Sequence, residues 1–288
     1  MNLFHKKDQY KGYNIYSMKK YVDKKRIIFT TIIVILIIIT LGFIIYYSVD
    51  TTIRLKNAKR FEQKLIEYES SQEELQKQEK ERQAKIPKLT DEGKQNIKGI
   101  YKSETKRVFL TFDDGPSVNT ADVLDILKSN DIKATFFVLG TQVEKMPEMV
   151  KRAYQEGHYI ANHGYSHQYS QIYSSPETVL QEFNQCNSAV AKAIDVPEYN
   201  SHLFRFPGGS VGGKYANLKA EAVTLLEQNN IMHVDWNALT GDAEKSSPDE
   251  EYLMNNLQKT TQNKNSIVIL MHDAQAKRVT VEFLPKLI

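Results

Sequence analysis

Residues 107–140 read RVFLTFDDGPSVNTADVLDILKSNDIKATFFVLG. A β-branched and aromatic run, 107–112, ends in Asp113 and Asp114, turns at Gly115-Pro116, and is followed by an amphipathic segment over 120–130 and a second apolar run over 133–140. The first and last pieces have the length and composition of strands buried on both faces, and the middle piece has helical periodicity, so the stretch reads as strand–helix–strand. The alternation continues outward. Strands are expected at HYIANH (158–163), HLFRF (202–206), MHVDW (232–236) and SIVILMH (266–272), and helices at 145–157, 176–194, 218–230 and 248–260. About six βα repeats predict a parallel sheet, closed or nearly closed into a barrel. The pattern alone does not separate a barrel from a doubly wound sheet. In either, ligands collect at the carboxyl ends of the strands.

Those ends are chemically loaded. The first strand delivers Asp113 and Asp114. The third ends in His163, with His167 four residues on. The fourth carries Arg205 and then Pro207, the fifth ends at Asp235 and Trp236, and the last runs through Leu270 to His272 and Asp273. Within NHGYSH, two imidazoles four residues apart can project from one side of a turn. Two neutral imidazoles and one carboxylate form an incomplete ligand set that leaves positions open on a divalent cation, as a catalytic site requires. One of the paired aspartates can be the third ligand and the other a base beside it. The cation relieves the repulsion that two adjacent carboxylates would otherwise suffer.

These motifs resemble those of the polysaccharide deacetylases of the NodB-homology type, carbohydrate esterase family four. TFDDGP is similar to the family's first motif and HGYSH to its second. RFPGG, VDWNALTGDA and LMH are similar to the third, fourth and fifth, in the family's order from about Arg107 onward. The resemblance implies a deformed (β/α) barrel over 107–288, a divalent metal that is usually Zn2+ (with Co2+ or another transition metal as substitutes), and hydrolysis of N-acetyl groups on a polysaccharide. It implies Asp114, His163 and His167 as metal ligands, Asp113 as general base, Arg205 as its partner and His272 as general acid. Leu270 is implied as the wall of the acetyl pocket, and Pro207, Gly208 and Trp236 as substrate contacts. Either Asp235 or Asp242 orients the acid. The sequence departs from the family where Gly164 replaces the usual Ser or Thr after the first histidine, with Ser166 as a nearby substitute. It departs again where Ala243 follows Asp242, so the apolar patch over the site rests on Trp236. A helix at VTVEFLPKLI is expected to stop short of the final helix and strand usual in the family, as a truncated chain or an open barrel edge.

The N-terminal third is of another kind. Residues 27–49, IIFTTIIVILIIITLGFIIYYSV, carry no charge and as a helix span about 34 Å, enough for a bilayer core of about 30 Å. Lys19, Lys20, Lys24, Lys25 and Arg26 precede the run and Asp50 follows it, which predicts a single-pass plasma-membrane anchor with residues 1–26 cytoplasmic and the rest outside. The run is too long for the apolar core of a signal peptide and no small-residue cleavage site follows. Residues 54–85 lack Gly and Pro and are rich in Glu, Lys, Gln and Leu, which predicts a solvated helical spacer. Its apolar stripe (Leu55, Ala58, Phe61, Leu65, Tyr68) covers fewer than three heptads, enough only for weak dimerisation. Ile86-Pro87 ends it, and the stalk and linker together run over 50–106.

The balance of 38 basic and 35 acidic residues gives a net charge of +3 and no reason to expect nucleic acid as a partner. The one cysteine, Cys186, excludes an internal disulfide framework. The anchor, the charged spacer and the deacetylase-like motifs together point to peptidoglycan N-acetylglucosamine as substrate. An exported poly-N-acetylglucosamine or chitin-like polymer, or an O-acetyl polysaccharide, is the alternative. A non-catalytic glycan-binding module fits less well, because a pure binder has no use for both a base and an acid.

Overall fold

The structure, a computed structural model, describes residues 15–85 and 88–288. The start of the basic tail, with His5, and the Ile86-Pro87 break lie outside the described residues. The chain divides into two compact units, Met1–Glu79 and Lys80–Ile288.

The first unit is carried by one helix, α1 (Ile15–Lys85), so the apolar run and the charged spacer are continuous. The run is long and apolar enough to cross a membrane, and none of it is covered by protein. Its threonine hydroxyls are satisfied within the helix: Thr30 and Thr31 both donate to the Ile27 carbonyl and Thr40 to that of Ile37. These three threonines therefore need no water inside a bilayer.

The second unit begins with α2 (Asp91–Lys98), followed by β1 (Arg107–Asp113), α3 (Val118–Ser129), β2 (Thr135–Val138), α4 (Gly140–Lys145), α5 (Pro147–Gln155) and β3 (Tyr159–Asn162). Then come α6 (Tyr169–Ile172), α7 (Pro176–Ile194), β4 (Leu203–Phe204), α8 (Ala216–Gln228), β5 (Met232–His233), β6 (Ala238–Leu239), α9 (Glu250–Thr261), β7 (Ser266–His272) and α10 (Arg278–Leu287). The strands form one sheet in the order β5-β4-β3-β2-β1-β7-β6, every pair parallel. This is the deformed barrel the sequence predicts, left open between β5 and β6. The strand the sequence did not predict, β6, lies in WNALTGD, where its two residues are too few to show a period.

Three local devices set the helices. Ser117 caps α3 and exchanges hydrogen bonds with Thr120 in a capping box. Ser175 and Pro176 open α7, and the Asp249 carboxylate caps α9. The predicted 145–157 helix is α5, whose N-terminus Pro147 sets, and the short helix α4 precedes it as a separate element. Residues 88–106, read as linker, contain α2, and the Arg107 guanidinium ties that segment to the barrel by donating to the carbonyls of Gly99, Ile100 and Lys102 and to Ser266 Oγ.

The core lies between the sheet and its helices. Phe112 and Phe136 stack at 5.2 Å on neighbouring strands. Leu124, Leu127, Val143, Val190 and Leu284 cover them from α3, α4, α7 and α10. A second cluster, Phe183, Phe204, Phe206 and Leu226, packs the β4 end of the sheet against α7 and α8. Full burial of each such side chain contributes about 1.5–3 kcal/mol. What the core fixes is register: Asp113 on β1 stands beside His272 on β7, and Thr111 beside Leu270. Because side chains alternate along a strand, Thr111 and Asp113 share one face of β1, and Leu270 and His272 the matching face of β7.

Candidate active site

Every ionisable residue of interest sits at the carboxyl end of this sheet. Asp113 closes β1 and Asp114 follows it in a left-handed conformation, φ 71°. His163 follows β3, and His167, also left-handed at φ 57°, sits on the next turn. A non-glycine residue in that region costs about 1–3 kcal/mol and persists only where its surroundings over-determine it. That two such residues lie side by side is therefore informative. Asp114 Oδ1 lies 3.5 Å from His163 Nε2 and 3.4 Å from His167 Nε2.

The three groups fit a cation. Asp114 Oδ1 is buried with no hydrogen-bond partner, an arrangement that costs energy unless something positive sits against it. His163 Nδ1 is 2.8 Å from the Arg205 carbonyl, to which it donates, leaving the Nε2 lone pair aimed at the carboxylate. Burial pulls the His163 pKa down to about 3, so the imidazole is neutral, as a ligand must be. Among the described residues this is the one group of three His, Cys or acidic side chains close enough to share an ion.

The second aspartate is held apart from that set. Arg205 is fully buried and its Nη1 donates to Asp113 Oδ1 at 2.8 Å and to Thr111 Oγ1 at 2.7 Å. Its Nε and Nη2 donate to the carbonyls of Val234 and Asp235, and its Cζ lies 3.9 Å from the centre of the Phe137 ring. Burial pushes the Asp113 carboxyl up, and the Arg205 charge works against it. The result is a buried carboxylate with one oxygen anchored and the other 3.8 Å from His163 Nε2.

His272 faces Asp113 across β1 and β7. Burial alone would lower its pKa, but the hydrogen bond and charge of Asp242, with the charges of Asp113 and Asp114, raise it to about 9. Asp242 Oδ1 is 3.0 Å from His272 Nδ1. Of the two aspartates the sequence left open, Asp242 is the one in contact with His272. Asp235 accepts from the backbone and hydroxyl of Ser210 instead and holds the glycine loop that follows β4.

That loop carries Pro207 and Gly208. Tyr173, buried, donates to the Pro207 carbonyl, and buried Lys219 donates to that of Gly209. Gly208 is left-handed, φ 74°, and a Cβ there would lie 2.7 Å from the Tyr169 hydroxyl. Tyr169 is exposed, with its ring 5.6 Å from that of His167, whereas Tyr173 belongs to the packing. Trp236 is half-buried against Gly209, and Leu270 is half-buried on the face it shares with His272.

Two further carboxylates were given no role by sequence reading. Glu182 on α7 is buried and accepts four hydrogen bonds from the segment that bears His167. Asp273 is buried, accepts from Thr120, and is pushed up to about 7 by burial. Its position next to His272 was visible in the sequence; its burial was not.

A family model described as polysaccharide deacetylase matches residues 101–225. A putative polysaccharide deacetylase of Bacillus subtilis (strain 168) is 36% identical over 188 residues, covering 64% of this chain and 62% of its own length. A peptidoglycan-N-acetylglucosamine deacetylase of Bacillus cereus is 34% identical over 181 residues, 61% of this chain and 63% of the relative. The chain thus spans a little under two thirds of the length of these curated relatives. Among solved structures, a carbohydrate esterase family 4 (CE4) esterase of Streptococcus mutans superposes with a TM-score of 0.60 at 30% identity, over 67% of this chain and 84% of that one.

Proposed function

The chain belongs to the polysaccharide deacetylases of carbohydrate esterase family four, hydrolases that act on N-acetyl groups, and from that membership we propose that it deacetylates N-acetylglucosamine in cell-wall peptidoglycan. The observation that carries the chemistry is the segregation of the two adjacent aspartates. Asp114 faces two imidazoles with an orphaned oxygen, while Asp113 is bonded to Arg205 and stands beside His272 on the neighbouring strand. The substrate assignment is supported by the Bacillus cereus relative, named as a peptidoglycan-N-acetylglucosamine deacetylase.

In this reading Asp114, His163 and His167 hold a divalent cation. Zn2+ is the best match to two imidazole nitrogens and one carboxylate oxygen with open positions. When bound, the cation polarises the acetyl carbonyl and acidifies the attacking water. Asp113 accepts the proton from that water as its oxygen adds to the carbonyl carbon. His272, charged at neutral pH, gives its proton to the sugar nitrogen as the C–N bond breaks, and acetate and a free amine result. Arg205 keeps Asp113 ionised and aimed, and Asp242 keeps His272 charged and in its rotamer. Leu270 walls the acetyl methyl, with Pro207, Gly208 and Trp236 lining the sugar.

The same proposal places the enzyme on the outer face of the plasma membrane. Residues 1–26 are cytoplasmic, 27–49 span the bilayer, 50–106 form the spacer and 107–288 the catalytic domain. The basic flank before Ile27 and the exposed apolar helix support that orientation. The test is compositional. Deleting the gene should lower the fraction of glucosamine lacking acetyl in purified wall. An unchanged wall together with a more acetylated extracellular polysaccharide would move the substrate to an exported polymer.

A further inference from the structure

The turn over 164–168 has two left-handed residues, Gly164 at φ 91° and His167 at φ 57°, and four donors in or just after it point at a single carboxylate. Glu182 lies on α7, fourteen or more residues further along the chain, and is 1% exposed. Its Oε2 accepts the backbone N–H groups of Tyr165 at 2.6 Å and Ser166 at 2.7 Å. Its Oε1 accepts the Ser166 hydroxyl at 2.7 Å and Gln171 Nε2 at 3.4 Å. No other acidic side chain is hydrogen-bonded to this turn among the described residues, save Glu144 at the outward-facing Tyr165 hydroxyl. A Cβ on Gly164 would lie 3.4 Å from Glu182 Oε2 and 3.1 Å from Ile172 Cδ1, so the turn packs directly on the carboxylate.

We infer that Glu182 is the positioning residue of the metal-binding turn: it holds residues 165 and 166 in the one conformation that brings His167 Nε2 to Asp114. The physical reason is over-determination. Successive backbone N–H groups that converge on one anion form a concavity whose shape is fixed by that anion. Without it, two half-buried N–H groups lose their partner and the strained His167 backbone loses what opposes its relaxation. The carboxylate does not touch the ligand set and acts only through the turn. Outer-shell partners of this kind are worth about 10–100-fold in metal affinity. The inference rests on the metal reading of Asp114, His163 and His167.

The experiment uses the full chain in detergent, stripped of metal and titrated with Co2+, whose visible absorption reports ligand geometry. Glu182→Ala is expected to weaken Co2+ binding by about 10–100-fold and to alter the absorption bands. Hydrogen exchange at Tyr165 and Ser166 is expected to rise in the metal-free protein. Glu182→Gln, which retains an acceptor for the two N–H groups, should recover most of the affinity. Val190→Ala, which opens a hole on the same helix away from the turn, controls for a general loss of stability and should leave the affinity unchanged. The inference fails if Glu182→Ala binds Co2+ as tightly as the unaltered chain. It fails equally if Val190→Ala weakens binding as much, or if the Tyr165 and Ser166 amides stay protected. An unaltered chain that takes up no Co2+ would overturn the metal reading itself, and this inference with it.

Discussion

Asp242 grips His272 at two points: its Oδ1 lies 3.0 Å from the ring Nδ1, and its Oδ2 accepts the backbone N–H of the same residue at 2.7 Å. Thr280 donates to Oδ2 as well, and Lys277 to the Asp242 carbonyl, so the loop after β6 and the start of α10 are locked onto the end of β7. One carboxylate thus fixes both the rotamer and the charge of the proposed acid.

Because the His272 pKa is raised to about 9, its proton is present below that value and is lost as the pH rises through it. Asp242→Asn removes the opposing charge while burial remains, so the loss should set in at lower pH. The alkaline limb of kcat/KM is expected to shift downward, with activity at neutral pH reduced by about 10²-fold or more. An unchanged pH profile would show that Asp242 does not act through His272. The stability sign is the same. The Asp242–His272 pair contributes fully between the ordinary aspartate value of about 3.9 and the ordinary histidine value of about 6.5, and the contribution fades as the pH rises through about 9 and in acid as Asp242 is protonated.

Arg205 satisfies four acceptors in the interior: Asp113, Thr111 and two carbonyls. Arg205→Ala leaves Asp113 buried without its counter-charge and should destabilise the catalytic unit by about 3–5 kcal/mol, measured by denaturant unfolding. Arg205→Lys keeps the charge but not the fork, and should fold better than the alanine variant while still losing activity. Equal stability of the alanine variant and the parent chain would contradict the role given to this ion pair.

Gly115 in TFDDGP has no room for a side chain, since a Cβ there would overlap the Asp273 carboxylate. Gly115→Ala is expected to destabilise by about 1–3 kcal/mol through overpacking and to displace Asp114 along with the turn. Thermal unfolding and metal content measured on one sample check both halves. A variant with unchanged melting and full metal occupancy would refute the packing argument.

The two aspartates should separate by function. Asp114→Asn is expected to lose metal and activity together. Asp113→Asn should keep the metal and lose about 10²-fold or more in rate. Metal content by atomic spectroscopy beside turnover distinguishes them, and equal metal loss in both would reverse the assignment.

How much of this was legible in the sequence follows from the range of the forces involved. β1, β2 and β7 were readable because strands buried on both faces must be apolar throughout. β4, β5 and β6 are two residues each, so their existence depends on neighbours rather than on pattern. The paired aspartates and the HGYSH spacing are local, and the fold brings Asp114, His163 and His167 together. The choice between Asp235 and Asp242 was not local. It depends on where the chain crosses from β5 to β6, which brings Asp242 to His272 and leaves Asp235 at Ser210. Glu182 was invisible for the same reason: in sequence it is one more glutamate on an amphipathic helix, and only the fold turns it inward. Residues 88–106 read as linker because nothing in them shows that Arg107 will draw their carbonyls onto the barrel.

The measurement that bears hardest on the whole account is acetate release by the purified full chain from peptidoglycan glycan strands, with and without a chelator. Acetate should appear in step with free amines on glucosamine. The reaction should stop when metal is removed and resume on addition of Zn2+ or Co2+. Undiminished release in the chelated enzyme, or release from an O-acetylated polysaccharide with none from N-acetylglucosamine, would contradict it.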